Sequence, residues 1–175
     1  MTDMAGEVFE AVRTVLAVRE YEARPIPADV LRRIAEAGRL TASGGNQQPW
    51  HFVFVTDRQM LQELGRLVRS APYVATAAAA IVAAGERDNP IALADVSRAI
   101  QSMILTAWAD GVGSNWTGFA SLDEVREAVG LPDTYAVFAV LPLGYPTRKL
   151  GKGIKKRKPP EEVLSAERFG NPLQP

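Results

Sequence analysis

The sequence predicts one α+β or α/β domain over residues 1–175, ending in a long arm, and three observations carry that reading. Apolar residues recur at helical spacing in several segments. Short aromatic, β-branched or continuously apolar runs of strand length lie between them. Past Gly144 the chain turns polar and basic, with Pro146, Pro159 and Pro160 and little to pack. There are no internal repeats.

Val8, Phe9, Val12, Val15 and Leu16 predict an amphipathic helix over 6–18. Arg24-Pro25-Ile26-Pro27 forces an extended connector, because each Pro moves the residue before it out of the helical region. A second helix begins near Ala28, with Asp29 in its first turn and Val30, Leu31, Ile34, Ala37 and Leu40 on one face. Thr41 to Pro49 is a loop, and Trp50 to Val55 a strand. Asp57 caps a helix carrying Met60, Leu61, Leu64, Leu67 and Val68. Residues 73–84 are Ala-rich, and their second half, Ala78 to Ala84, reads as a strand buried on both faces. The longest helix runs from about Ile91 to Asp110, with Leu93, Val96, Ile100, Met103, Ile104 and Ala107 inward, and closes at Gly111-Val112-Gly113. Ser121-Leu122-Asp123-Glu124 is a capping box for a short helix stopping at Gly130, and Tyr135 to Leu141 is a further strand.

Composition narrows the chemistry. Twenty Lys plus Arg balance twenty Asp plus Glu, so any positive site is local, and a nucleic-acid coat is disfavoured. With no Cys there is no disulfide, iron–sulfur cluster, zinc thiolate or cysteine nucleophile, and one His cannot make a multi-histidine metal site. Redox chemistry here needs an organic cofactor. The N-terminus lacks the basic-then-apolar pattern of a signal peptide, and the Ala71–Ala84 run is too short to cross a bilayer. The expectation is a soluble, cytoplasmic protein.

Three separated segments carry the candidate chemistry. In Ser43-Gly44-Gly45-Asn46-Gln47-Gln48-Pro49-Trp50 the glycines let backbone approach a ligand, and Ser, Asn and Gln offer donors and acceptors to a heterocycle edge. Ser-Gly-Gly alone is an ordinary polar turn; the whole string is far more specific. Lys155-Lys156-Arg157-Lys158, with Arg148, Lys149 and Lys152 upstream, suits a phosphate, although a basic run is more often a solvated tail. Gly111 to Gly118 follows the long helix. Gly111 reads as its cap, while Gly118 and the backbone around Trp116 and Thr117 are placed to reach a ligand. His51, beside Trp50 on a strand, reads as a packing or surface residue rather than a proton donor.

With these residues in view, the chain resembles the nitroreductase family. Arg19-Glu20-Tyr21, Pro25-Ile26-Pro27, Thr41 to Trp50, Gly111 to Gly118, Gly144-Tyr145-Pro146 and Lys155 to Val163 occur in that family's order, covering about residues 8–170. The resemblance implies an α+β fold: a mostly antiparallel sheet flanked by helices, a long central helix, and an extended C-terminal arm over 145–175 packing on the partner of a homodimer. It implies FMN at the dimer interface and NAD(P)H as reductant, with ping-pong hydride transfer to nitroaromatic, quinone or similar acceptors and no catalytic side chain. Arg19, Lys155 and Arg157 are implied to hold the FMN phosphate, and Ser43, Gly44, Asn46 and Gln48 to meet the ring from the other subunit. Trp116, Thr117 and Gly118 are implied to face its pyrimidine edge. The chain departs from the pattern at Leu16-Ala17-Val18-Arg19, where the family commonly has Arg-Ser-x-Arg, and at Ala42, where Pro is common. Arg13, one turn earlier, is a possible substitute for the missing Arg. The departure leaves open a flavin- or deazaflavin-binding protein with little turnover as the alternative.

Overall fold

The computed structural model describes residues 4–118, 122–150 and 155–173. Among these residues, five α-helices and four strands follow one another: α1 (Met4–Thr14), α2 (Ala28–Arg39), β1 (Trp50–Val55), α3 (Arg58–Leu67), β2 (Ala79–Glu86), α4 (Ala92–Ala109), β3 (Gly113–Ser114), α5 (Asp123–Ala128) and β4 (Tyr135–Gly144). The strands form one sheet in the order β1-β2-β4-β3, and every strand pair is antiparallel. Of the two layer architectures left open by periodicity, the chain therefore adopts α+β.

The central strand β2 explains the uninterrupted apolar run. Ala79, Ile81 and Ala83 point to a core shared with α2 and α4, through Ile34, Val96, Ile100 and Met103. Ala80, Val82 and Ala84 point to the opposite core, with Leu61 and Leu64 of α3 and Val125 of α5. A strand covered on both faces cannot alternate apolar with polar residues. The segment Pro72–Thr76 before it is a 3₁₀ turn. Asp57 caps α3 as expected, its Oδ1 accepting from the Met60 amide at 2.8 Å.

The structure corrects several boundaries. The first helix stops at Thr14 instead of 18, because Ala17 and Val18 leave it to pair with Ser114 at the sheet's edge. Its apolar face is left open among the described residues: Val8, Phe9 and Val12 are 63%, 66% and 45% exposed. Leu40 and Leu93, expected inward, are also exposed, since α2 and α4 meet along Ile34, Gly38 and Met103 instead. The last strand runs on to Gly144, three residues past the expected end, because Leu143 pairs with Ala79 and Gly144 with Gly113. Leu122 precedes α5 without a side-chain capping bond; Ser121, expected as the cap, and Lys152 of the basic tail lie outside the described residues.

Candidate functional site

The Ser43–Gln48 loop crosses from α2 to β1 in a strained conformation. Gly45, Asn46 and Gln48 have φ of 55°, 56° and 52°. For a residue with a Cβ the left-handed region costs roughly 1 kcal/mol or more, so other contacts must hold the loop. The Gly44 amide donates to Asp95 Oδ2 at 2.9 Å, and the Gln48 amide to Ser43 Oγ at 2.9 Å. Asn89 Nδ2 donates to Gln47 Oε1 at 3.0 Å, and Gln48 Nε2 to Asn46 Oδ1 at 3.2 Å. Asn46 and Gln48 thus stay exposed while bonded to each other.

Sequence reasoning missed Asp95. It is 3% exposed, carries the loop on one carboxylate oxygen, and pairs through the other with Arg98 at 3.2 Å. A signal was available: Asp95 falls on the same stripe of α4 as Ala92, Ala99 and Met103, where an acid is out of place unless it is bonded. His51, by contrast, is exposed with its ring edge-on to Tyr135 at 5.9 Å, which fits the packing reading.

Arg19 sits on a segment stitched to the far end of the molecule. Ala17 bridges to Ser114, the Val18 amide donates to Ser114 O at 2.8 Å, and Tyr21 bridges to Pro146. Two glycines make room: a Cβ on Gly113 would stand 2.7 Å from Val18 Cβ, and one on Gly144 2.7 Å from Tyr21 Cδ1. The Tyr21 hydroxyl donates to Val18 O at 2.5 Å. Burial pushes its pKa up, the neighbouring Tyr73 adds to this, and Arg19 opposes it. Arg19 itself is exposed and lines a cavity of about 190 Å³ with Glu20, Pro146 and Arg148.

Lys155 returns to the same region. Its Nζ donates to Val12 O at 2.6 Å, satisfying a carbonyl in the last turn of α1, just where the Arg19 segment departs. Arg157, two residues on, is exposed and donates to the Lys156 carbonyl at 2.9 Å. Among the described residues, Arg19, Arg148 and Arg157 have no carboxylate within ion-pair distance. Most other arginines do, including Arg39 on Glu36 and Arg66 on Glu63. Arg13, the possible substitute, is held by Glu10 through Nε at 2.9 Å and NH2 at 2.5 Å. Its guanidinium is engaged.

Thr117, in the third segment, is 2% exposed, and its amide and carbonyl both pair with Val140, at 3.1 and 3.0 Å. Trp116 packs against the α2–α4 core, and Gly118 follows at φ 95°.

The two polar groups lie at opposite ends of α4. The loop is tied to its N-terminal end through Asn89 and Asp95. Arg148 borders Trp108 and Gly111 at its C-terminal end, and α1 joins that end where Trp108 Nε1 donates to Thr14 Oγ1 at 2.9 Å. Asp95 and Trp108 are 13 positions apart, or about 20 Å at about 1.5 Å per residue. The donor set fits FMN: cations without a carboxylate partner at one end suit a phosphate dianion, and the Ser43 hydroxyl with the Asn46 and Gln48 carboxamides on a held loop suits a heterocycle.

Residues 13–83 and 66–145 match the model of the Nitroreductase family. A protein of Archaeoglobus fulgidus described as an NADH dehydrogenase/NAD(P)H nitroreductase is 33% identical over 149 residues, 80% of this chain and 86% of that relative. An NADPH-flavin oxidoreductase of Vibrio harveyi is 27% identical over 90% of this chain and 74% of its own. The crystal structure of a Parabacteroides distasonis protein, also described as an NADH dehydrogenase/NAD(P)H nitroreductase, superposes with a TM-score of 0.83. It is 27% identical and covers 92% of this chain and 98% of its own.

Proposed function

Because the chain belongs to the nitroreductase family of oxidoreductases, we propose that it is an FMN-dependent NAD(P)H oxidoreductase whose sites are shared between two copies of the chain. The observation that carries this is the placement of the held polar loop and the unpaired cations at opposite ends of α4. Arg19, Lys155 and Arg157 hold the phosphate of FMN, and Ser43, Gly44, Asn46 and Gln48 of the second copy meet the ring. Trp116 and Gly118 stand beside it, with Thr117 fixed by its pairing to Val140. When bound, FMN would supply the redox chemistry for ping-pong hydride transfer from NAD(P)H to a nitroaromatic, quinone or similar acceptor.

The chain's own part is binding and orientation. Arginine forks and a lysine ammonium supply charge-assisted bonds to a phosphate. The strained loop, fixed by Asp95, presents the Ser43 hydroxyl and the Asn46 and Gln48 carboxamides without reorganising, which is what a site built on preorganised dipoles requires. In the same reading the arm over 145–175 packs on the second copy. It cannot form a core alone, since Val163, Leu164 and Leu173 are about half exposed and Phe169 wholly so.

The test has two stages. Protein loaded with FMN and then denatured should release a flavin monophosphate. Next, an Asn46→Ala chain is mixed with an Arg157→Ala chain. Shared sites restore one intact site per mixed dimer, so FMN binding partly returns. If mixing restores nothing, each site lies within one chain and the proposal fails.

A further inference from the structure

Near the Trp116–Gly118 segment little backbone is left to meet a ligand. Thr117 has spent its amide and carbonyl on Val140, and the Trp116 carbonyl accepts from Asn115 Nδ2 at 3.2 Å. Asn115 Nδ2 also donates to Tyr73 Oη at 2.6 Å. Those two bonds use both amide hydrogens and fix which way the carboxamide faces, so Asn115 Oδ1 remains as an acceptor. Tyr73 Oη, having accepted, still has its own hydrogen to donate. Neither group has another partner among the described residues, and both side chains are half-buried. Asn115 Oδ1 is open to solvent rather than stranded, so an acceptor and a donor stand side by side within reach of a ligand.

Its position is informative. Tyr73 packs on Val18, Tyr21 and Ala77, the cluster flanking Arg19, and Asn115 follows Ser114, which accepts the Val18 amide. The pair therefore belongs to the same half-site as Arg19. An acceptor beside a donor complements a ring N–H next to a ring carbonyl, the pattern at the imide edge of a flavin. We infer that Tyr73 and Asn115 read this edge, Asn115 Oδ1 accepting from N3–H and Tyr73 Oη donating to an adjoining carbonyl. The assignment rests on the FMN reading above and adds to it two residues outside the loop and the basic arm.

The test compares binding of FMN with that of 3-methyl-FMN, which lacks the N3 hydrogen, followed by quenching of flavin fluorescence. Wild-type protein should bind FMN about tenfold more tightly than the methylated flavin, the worth of one such bond. Asn115→Ala removes the acceptor and leaves room for the methyl group; it should weaken FMN about tenfold and bind both flavins alike. Asn115→Asp keeps an acceptor and should keep the preference, so it carries the test if the alanine variant fails to fold. Tyr73→Phe should weaken both flavins by the same factor. Retention of the full preference in Asn115→Ala, or its loss in a folded Asn115→Asp, overturns the assignment. Wild-type protein that binds FMN without discriminating overturns it too but leaves the FMN reading standing. Failure to bind either flavin overturns both.

Discussion

Gly113→Ala is the sharpest test of how the Arg19 segment is positioned. A Cβ at 113 would lie 2.7 Å from Val18 Cβ and 3.0 Å from its Cγ1, and would press on Cγ2 as well. These atoms sit on a β-branched side chain 4% exposed, so no flexible end can swing away. Overpacking of this kind costs typically about 1–3 kcal/mol. For a chain of this size each kcal/mol moves Tm by about 2–4 °C, so a cost near ~2 kcal/mol lowers it by about 4–8 °C. The clash also pushes the 17–19 segment off Ser114, so FMN affinity should fall with stability. Adding Val18→Ala removes Cγ1 and Cγ2, two of the three crowded atoms, and should recover part of both losses. Thermal melts and FMN titrations of the two single variants and the double variant close the cycle. If the stability losses simply add, to within about 0.5 kcal/mol, Val18 is not what Gly113 accommodates, and the reasoning fails.

Arg157→Ala should weaken FMN by about ten- to a hundredfold in a binding titration while leaving riboflavin, which lacks the phosphate, unchanged. Equal losses would make Arg157 a structural residue. Asp95→Asn weakens both the Gly44 and Arg98 contacts; it should cost about 1.5–3 kcal/mol in a denaturant melt and raise the Kd for FMN without touching the cations. Tyr21 gives the pH dependence: its folded pKa is raised, so above about pH 10 the unfolded chain loses a proton that the folded chain keeps, and stability falls as pH rises. Tyr21→Phe should be less stable at neutral pH, having lost its bond to Val18 O, and should show a shallower alkaline decline in Tm.

The elements that sequence alone placed best are those whose pattern reflects a local cause. Asp57 before an apolar-periodic run marks α3, and the unbroken Ala78–Ala84 run marks a strand covered on both sides. Where the outcome depends on distant pairing, periodicity failed. Nothing near residue 15 reports that Ser114 will draw Ala17 and Val18 out of the helix, and nothing near Leu141 reports that Gly113 will extend the strand to Gly144. The site divides the same way. The polar string at Ser43–Gln48 is visible, but its anchor, Asp95, lies 51 positions from Gly44 and is recognisable only once α4's inward stripe is drawn. Tyr73 and Asn115 are more than forty residues apart and carry no shared motif, so only the fold brings them together.

The exposed apolar residues acquire a reason in the proposed dimer. Val8, Phe9 and Val12 on α1 and Val163, Leu164, Phe169 and Leu173 on the arm cost free energy in water at both ends of the chain. Covering them is favourable without any cofactor. The Lys155 bond to Val12 O lays the start of the arm against the last turn of α1. In the proposed dimer, a second copy docked there would bring its own Asp95-held loop to these cations. Assembly and cofactor binding then favour the same state: FMN that binds only the dimer shifts the monomer–dimer equilibrium by mass action. In that arrangement Leu16 and Ala17, in place of Arg and Ser, weaken the phosphate end without weakening the apolar contact. If the proposed dimer forms, removal of FMN should therefore leave its apolar contact in place, which sedimentation of the apo and FMN-loaded protein would check.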